Sequence, residues 1–357
     1  MSNRLLLVLA LLPLWVAVAA LAYVVIRELG WARLKRYTFA WTCVALSLLS
    51  LPAAGFLKVA WPYKARILAR LVRVESPAVV LSGGCSIFPA NNIWNMSVHN
   101  LPLDPRWQAY LQTMGPSLPL HADFSLPYSV LTGSQPAASV DLGGQSESDA
   151  GPYRIPDNVT VEGGEDAHLV VLDTQPCKLY ELYGARRVGS GFWSAGTGAI
   201  FDLRSNALRP EGWTSADAAG LPILPGLVRY DEVKSGHIRH ALRFTTRLTR
   251  RAFVWPARHF ASRSEDPNLP PMGLRVRLRE SFDISGFSPE TQVILAALKE
   301  YGMFLSDNGG NWFLSGGLDS RWDSRLGQEL RRVVGSDFEG VDSSSLMKDK
   351  DSGEVRP

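Results

Sequence analysis

Hydrophobic residues are concentrated in two long runs without charge near the start of the chain. The first covers residues 5–26 and the second residues 38–57. An α-helix of about 20 apolar residues crosses the roughly 30 Å hydrocarbon core of a bilayer. Tryptophans lie in or beside both runs, and the membrane interface favours tryptophan. The pattern predicts two transmembrane helices within residues 1–61. The alternative is a cleaved signal peptide followed by a core helix, although signal peptides have shorter apolar stretches.

Charge is distributed unevenly along the chain. Residues 1–75 contain ten Lys or Arg and two acidic residues, about +8, so the net charge of +3 leaves about −5 for the remainder. Four basic residues in the loop 27–37 place this loop in the cytoplasm and both termini outside. The basic juxtamembrane segment 62–75 also favours the inside, unless it lies on the outer leaflet as an amphipathic helix. We expect a two-pass cell-membrane protein that contacts lipid and carries an extracytoplasmic domain.

Short runs of β-branched and aromatic residues alternate with turn residues over residues 76–340. Gly, Pro, Asn and Asp separate the runs, as in β-rich domains. The expected strands are residues 78–81, 168–173, 178–183, 198–203, 240–246, 252–256 and 274–279. The pattern predicts a single β-rich domain.

Helical periodicity is confined to residues 105–114 and 289–301. Ser288 is a favourable N-cap for the second helix, and Pro289 suits its first turn. We therefore predict a mainly β fold, an antiparallel β-sandwich of the jelly-roll type with one or two packed helices. The polar tail, residues 341–357, is expected to be disordered.

Cys85 and Cys177 are the two cysteines outside the apolar runs. In an extracytoplasmic domain such a pair is a disulfide candidate, and the alternative is two buried free thiols. The acidic balance of the same domain argues against a nucleic-acid partner, which requires a positive surface.

The segment 191–232 combines a predicted strand, a proline-stiffened loop and clustered polar residues with two tryptophans. Paired carboxylates cleave glycosidic bonds, one as the acid and the other as the base or nucleophile. Asp202, Asp217 and Glu232 are the catalytic candidates there. Each also has a structural interpretation: Asp202 pairs with Arg204, Asp217 caps a turn, and Glu232 is a solvated turn residue.

Several other residues are candidates for substrate binding. Aromatic side chains stack on the apolar faces of sugar rings. The glycine-rich segment 307–312 presents polar groups beside a tryptophan, although it is also a typical turn between a helix and a strand. The predicted substrate-binding residues are Trp193, Arg204, Trp213, His240, Asp307, Asn308 and Trp312.

All six histidines lie in the predicted domain. His259 follows an apolar run and is a candidate general acid or base, unless its ring makes a structural hydrogen bond. His237 and His240 are three residues apart, but on a strand their rings point to opposite faces, so we predict no metal pair. The chain has no P-loop, no G-x-S-x-G, no H-E-x-x-H and no C-x-x-C, and we expect no cofactor.

Several segments carry a family resemblance. Residues 88–95 read FPANNIWN, residues 199–233 read AIFDLRSNALRPEGWTSADAAGLPILPGLVRYDEV, and residues 254–262 read VWPARHFAS. Across residues 85–340 the chain resembles a group of uncharacterised bacterial secreted proteins. The resemblance implies an exported domain and assigns no catalytic residue, and the two-helix anchor looks like an addition to the secreted form.

Three functional hypotheses follow from these features. The first is a membrane-anchored glycoside hydrolase that acts on envelope or environmental polysaccharide through paired carboxylates. The second is a non-catalytic glycan-binding or envelope scaffold protein. The third is a metal-dependent hydrolase that uses His240, His259 and an Asp.

Overall fold

A computed structural model describes residues 84–356 of the chain. The predicted transmembrane helices, the basic segment 62–75 and the strand expected at 78–81 lie outside these residues. Within residues 84–356, no helix combines the length and the apolar character that crossing a membrane requires.

Residues 84–356 contain 13 strands and four α-helices. The strands are β1 (His121–Leu126), β2 (Ser129–Leu131), β3 (Ser139–Asp141), β4 (Leu169–Asp173), β5 (Lys178–Tyr183), β6 (Arg186–Gly189), β7 (Phe192–Ser194), β8 (Thr197–Asp202), β9 (Leu242–Thr246), β10 (Arg275–Leu278), β11 (Met303–Asn308), β12 (Phe313–Gly317) and β13 (Phe338–Val341). The helices are α1 (Trp107–Met114), α2 (Tyr230–Ser235), α3 (Pro289–Glu300) and α4 (Ser324–Leu330). Short 3-10 turns lie at Ile93–Asn95, Leu224–Gly226, Gly335–Asp337 and Ser344–Leu346. The mainly β character predicted from the sequence is confirmed.

The strands form sheets of six, four and three strands, in the orders β1-β12-β9-β11-β10-β13, β2-β4-β5-β8 and β3-β7-β6. Each sheet contains a parallel pair: β1 with β12 and β9 with β11 in the first, β2 with β4 in the second, and β3 with β7 in the third. The prediction of purely antiparallel pairing is therefore wrong. Parallel neighbours need long crossover connections, and the chain between β9 and β11 passes through β10 and α3.

Helix α3 shows how local sequence sets an element. Ser288 accepts a hydrogen bond from the N–H of Thr291, and Pro289 occupies the first helical position. The helix buries Ile294, Leu295 and Leu298 in the core. Gly302 follows with φ +63°, and a Cβ there would lie 2.2 Å from the carbonyl oxygen of Val276. The helix therefore ends where only glycine fits, close to the predicted boundary.

Strand β10 carries an arginine in the protein interior. Arg275 is 1% exposed and donates hydrogen bonds to the carbonyl oxygens of Ile93, Met96 and Tyr301. Its guanidinium lies over the ring of Phe304, 4.5 Å from the centroid. Burial lowers the pKa of Arg275 to about 9. The side chain joins the segment around Ile93 to the six-stranded sheet.

Cys85 and Cys177 form a disulfide with a Cα–Cα distance of 5.5 Å. Cys177 lies in the turn between β4 and β5, and Cys85 lies near the beginning of the described residues. The bond links positions separated by 92 residues.

The C-terminal residues 342–356 belong to the same compact domain as the three sheets. Met347 pairs with Val355, and Glu354 pairs with Asn92, through backbone bridges. Val355 is 7% exposed. Asp351 accepts a hydrogen bond from the buried guanidinium of Arg258 at 2.5 Å. The prediction of a disordered tail is wrong because a polar segment can be held by backbone pairing and one or two buried anchors.

Removal of residues 342–357 from the full-length chain in detergent is expected to lower the free energy of unfolding by at least about 2 kcal/mol, since burial of a Val side chain alone contributes roughly that much. Thermal or urea unfolding measures the change. The control is removal of Arg356 and Pro357 only, which leaves the buried Val355 and the hydrogen bond from its N–H to the carbonyl oxygen of Asn91. Equal stability of the two truncated chains would contradict the packing of this tail.

Candidate functional site

A buried ion pair lies beside the loop that precedes α2. Asp217 has no exposed surface. Arg243 on β9 donates two hydrogen bonds to its carboxylate, from Nε at 3.0 Å and from Nη2 at 2.5 Å. The Nη1 of Arg243 also donates to the Oγ of Ser315 on β12 at 2.6 Å. Ser215 fixes the loop from the other side, because its Oγ accepts from the N–H of Asp217 and donates to the carbonyl oxygen of Leu221.

Asp307, near the end of β11, lies next to Asp217, close enough for the two carboxyl groups to share a hydrogen. Its carboxylate accepts hydrogen bonds from the N–H of Ala218 at 3.2 Å and of Asn308 at 2.7 Å. Unlike Asp217, Asp307 is partly exposed. These two acids are 90 residues apart in the chain, and the fold brings them together.

The environment favours one shared proton on this pair. Loss of hydration and the charge of Asp217 raise the pKa of Asp307 to about 7. Burial also raises the pKa of Asp217, although Arg243 and His168 oppose the shift. Two adjacent carboxyls do not both ionise readily, because like charges repel in a site with little water. Arg243 binds Asp217 directly, so the proton is best placed on Asp307.

Glu181 on β5 is a second buried carboxylate behind the pair. It has no exposed surface and accepts hydrogen bonds from the N–H groups of Ile223 and Leu224 at 2.9–3.0 Å. Burial, together with the charge of Asp217, raises its pKa to about 7. Glu181 therefore anchors the far end of the loop that carries Asp217 to the four-stranded sheet.

His168 adds a cationic group to the cluster. Its Nδ1 lies 2.5 Å from Oε2 of Glu162, and its Nε2 lies 3.2 Å from the carbonyl oxygen of Ala216. Both partners accept hydrogen bonds, so the surroundings favour the imidazolium, in which both ring nitrogens donate. Burial lowers the pKa of His168, but the hydrogen bond to Glu162 and the charges of Glu162 and Asp217 raise it overall.

Two partly exposed side chains border the pair. Tyr183 is 39% exposed, lies near Asp307 and is 5.7 Å from the ring of His168. The Nδ1 of His259 lies 2.8 Å from the carbonyl oxygen of Ala218 and donates to it. The N–H of the same Ala218 binds Asp307. We call Asp217, Asp307, Arg243, Tyr183 and His259 the carboxyl-pair site.

Asp202 is not part of this site. It is exposed, ends β8 and accepts a hydrogen bond from the N–H of Arg204 at 2.9 Å. On β5 its partner is Lys178, whereas the partner of Tyr183 is Thr197. Asp202 and the site thus occupy opposite ends of these strands. Arg204 is exposed as well, and it binds the carbonyl oxygen of Gln175 at 3.1 Å.

Glu232 and His240 come together elsewhere, with Arg229. The Oε2 of Glu232 lies 2.7 Å from Arg229 Nη2 and 3.1 Å from His240 Nε2. His240 is fully buried and donates from Nδ1 to its neighbour's carbonyl oxygen, that of Ala241. Burial opposes ionisation of Glu232, but Arg229 and His240 lower its pKa overall. His240 precedes β9, while Asp307 pairs near the end of that strand, so the two clusters are separate.

Two tryptophans expected to bind sugar lie in the core. Trp312 has no exposed surface; its ring stacks on Phe244 and Phe338, and its Nε1 donates to the carbonyl oxygen of Gly115. Trp193 is 4% exposed. Their predicted role is wrong because neither ring has a free face.

The other two predicted binding residues have structural contacts. Trp213 is half-buried beneath the guanidinium of Arg209, 5.4 Å from the ring centroid. The side chain of Asn308 bonds to the Oγ1 of Thr249 at 3.1 Å.

In the part of the chain that the structure describes, no three His, Cys, Asp or Glu side chains are grouped so that they could hold a metal ion. His240 and His259 do not meet there, since one lies beside Arg229 and the other beside Ala218. The hypothesis of a metal-dependent hydrolase therefore has no ligand set among residues 84–356.

No protein-family model, no curated protein and no solved structure matches the chain. The chemistry of the site must therefore be argued from its own residues. Sequence reasoning missed Glu181, Arg243, His168 and Glu162. The signal for the first two was a charged residue between two apolar or aromatic neighbours inside a strand, because a buried charge requires a partner. The spacing of His168 and Glu162 carries no such signal.

The raised pKa of Asp307 predicts a pH-dependent stability. The folded protein holds the proton more tightly than the unfolded chain, so this stabilisation is present at low pH and is lost as the pH rises through about 7. Asp307→Asn cannot ionise. We expect its melting temperature, relative to the wild type, to rise between about pH 4 and about pH 8. Asp202→Asn, which changes an exposed acid outside the site, is the matched control. A difference between Asp307→Asn and the wild type that does not change with pH would show that Asp307 is an ordinary carboxyl.

Proposed function

We propose that this domain hydrolyses a polysaccharide by acid–base catalysis, with Asp307 as the general acid. The observation that carries the proposal is the carboxyl of Asp307, a partly exposed residue, which lies against an Arg243-bound Asp217 and has a pKa raised to about 7. A general acid works best when its pKa lies near the working pH. Asp307 can therefore protonate the leaving oxygen of a glycosidic bond near neutrality.

Asp217 has a positioning role in this proposal. Glycosidases that use two carboxylates in direct roles hold them roughly 5–9.5 Å apart, whereas Asp217 and Asp307 are adjacent. Asp217 is also fully buried and bound by Arg243, so it neither attacks the sugar nor contacts water. Its negative charge holds the proton on Asp307.

His259 supplies the base. Its Nδ1 donates to the carbonyl oxygen of Ala218, so the neutral ring has its lone pair on Nε2. The side chain is 23% exposed, and Nε2 lies 3.7 Å from the carboxylate of Glu147 at the surface. A water molecule bound to Nε2 would lose its proton to the ring as it attacks the sugar carbon.

Tyr183 favours a sugar as the substrate. Its exposed ring lies 5.7 Å from the ring of His168 and feels the charge of Asp307, and exposed aromatic rings stack on the apolar faces of pyranoses. A non-catalytic glycan-binding protein is the second function that this surface supports. The observation in its favour is that the two acids also have structural roles. Asp307 accepts a hydrogen bond from the N–H of Ala218, and Asp217 accepts one from Arg243 on β9.

We also propose that the domain is extracytoplasmic and anchored to the cell membrane by the apolar runs of residues 1–61. The Cys85–Cys177 disulfide supports this location, because such bonds persist in oxidising compartments. The basic residues around the runs suit contact with anionic lipid.

Hydrolysis is tested with the full-length chain in detergent and a panel of neutral, amino and acidic polysaccharides, by measuring new reducing ends. Asp307→Asn is expected to lower kcat at least about 100-fold, since general acid catalysis contributes that much or more. His259→Gln is expected to cause a comparable loss. Asp202→Asn, an exposed acid at the far end of β8, is the matched control with full activity. Activity in Asp307→Asn would refute the site, and binding without product would favour the non-catalytic function.

The orientation is tested by fusing alkaline phosphatase, which is active only outside the cytoplasm, to the C terminus of the full chain in a bacterial host. We expect an active fusion. We also expect reduced and non-reduced samples of the wild type to migrate differently on gels, and those of Cys177→Ser to migrate alike. A fluorescent-protein fusion that matures in the cytoplasm is the complementary reporter. An inactive phosphatase with a bright fluorescent fusion would place the domain inside.

A further inference from the structure

A surface pocket lies between the N-terminal ends of α2, α3 and α4. Its volume is about 50 Å³, and its walls include Tyr230, Glu290, Arg321, Trp322, Asp323 and Arg325. This space holds a few water molecules or one substituted edge of a larger ligand. None of these residues belongs to the carboxyl-pair site.

The aromatic side of the pocket is rigid. The rings of Tyr230 and Trp322 meet edge to face with centroids 5.2 Å apart, and Phe124 supports Trp322 at 4.9 Å. The Nε1 of Trp322 donates to the carbonyl oxygen of Gly317 at 2.9 Å. Both pocket rings remain partly exposed. This wall is therefore an apolar surface that is already held in place.

The polar side is balanced in charge. Arg321 lies over the ring of Tyr230 and is paired with Asp319 and Asp231. Arg325 is paired with Asp323. With each guanidinium compensated and Glu290 alongside, the lining has no excess of positive charge to attract an anion. Donors and acceptors alternate over a short distance, which suits hydroxyl groups because they both donate and accept.

The pocket and the carboxyl-pair site lie at different ends of the six-stranded sheet. Asp307 and Phe313 are both paired with Thr245 on β9. From Phe313, β12 runs away to Gly317, and Trp322 follows beyond it. Four residues of strand cover about 13 Å. An oligosaccharide can therefore contact both the pocket and the carboxyl-pair site only if it is several sugar units long.

We propose that this pocket is a second glycan-binding site, which takes the edge of one neutral hexose ring with its apolar face on Trp322. The ring of Trp322 supplies the stacking surface, with Tyr230 packed against it, and Glu290, Asp323 and the two arginines bind the ring hydroxyls. The proposal goes beyond hydrolysis at Asp307, because it requires binding alone. It predicts that the protein holds a glycan whether or not the bond is cleaved.

The test is equilibrium binding by titration calorimetry, with the full-length chain in detergent. The probes are cellohexaose, maltohexaose and laminarihexaose as neutral chains, a glucosamine hexamer as a cation and an oligogalacturonate as an anion. We expect at least one neutral chain to bind about 10-fold more tightly than both charged probes. Trp322→Ala is expected to weaken that binding by about 10-fold, in line with the loss of one aromatic stacking contact.

A second variant separates binding from folding. Arg325 is largely exposed, and Glu290→Gln with Arg325→Gln removes one charge of each sign while both side chains stay polar. This double variant is expected to bind about 5-fold more weakly, with an unchanged melting temperature. Phe192→Ala, which removes an exposed aromatic ring on β7, is the control with full affinity.

Three outcomes would overturn the proposal. The first is tighter binding of a charged probe, and the second is no binding of any neutral chain. The third is full affinity in both pocket variants. Loss of binding in Tyr183→Ala together with full affinity in the pocket variants would assign the glycan to the carboxyl-pair site instead. Failure of the hydrolysis assay does not affect this test, since it measures no product.

Discussion

The bond between Arg243 and Asp217 is the interaction on which the centre of this domain depends. One buried guanidinium joins the loop around Asp217 to β9 and, through Ser315, to β12. Removal of one partner from a buried ion pair leaves the other charge uncompensated, which costs about 3–5 kcal/mol. Glu181 adds a second attachment by binding the backbone of Ile223 and Leu224. Arg243 and Glu181 thus attach the loop to the six-stranded and the four-stranded sheet, respectively, in the same region where apolar side chains form the core.

The same interaction determines the chemistry of the surface nearby. Arg243 stabilises negative charge on Asp217, and that charge in turn favours the protonated form of Asp307. His168, which is bound to Glu162, also favours the negative charge on Asp217. A buried network that is needed for folding therefore raises the pKa of one partly exposed acid, Asp307, to near neutrality. Structure and proposed catalysis rest on the same groups.

Local features of the sequence predicted local structure well. Strand β5 begins and ends at the predicted residues, and α3 differs from its predicted range by one residue. Both depend on neighbouring residues, through β propensity and alternation in one case and a Ser-Pro cap in the other. The segment 252–256 shows the limit: it has strand-like residues but makes only an isolated bridge, between Phe253 and Met272. A strand requires a partner, and the residues of the segment do not specify one.

By itself, the sequence determined that this domain is mainly β, where its main strands and longest helix lie, and which charged residues were available. Only the tertiary structure decided that Asp217 meets Asp307 while Asp202 does not, that Trp312 is enclosed, and that Arg275 is buried although it alternates with apolar residues. It also decided the parallel pairings and the packing of the tail. The physical reason is that these features are contacts between distant segments, whose stability depends on the packing of the whole core.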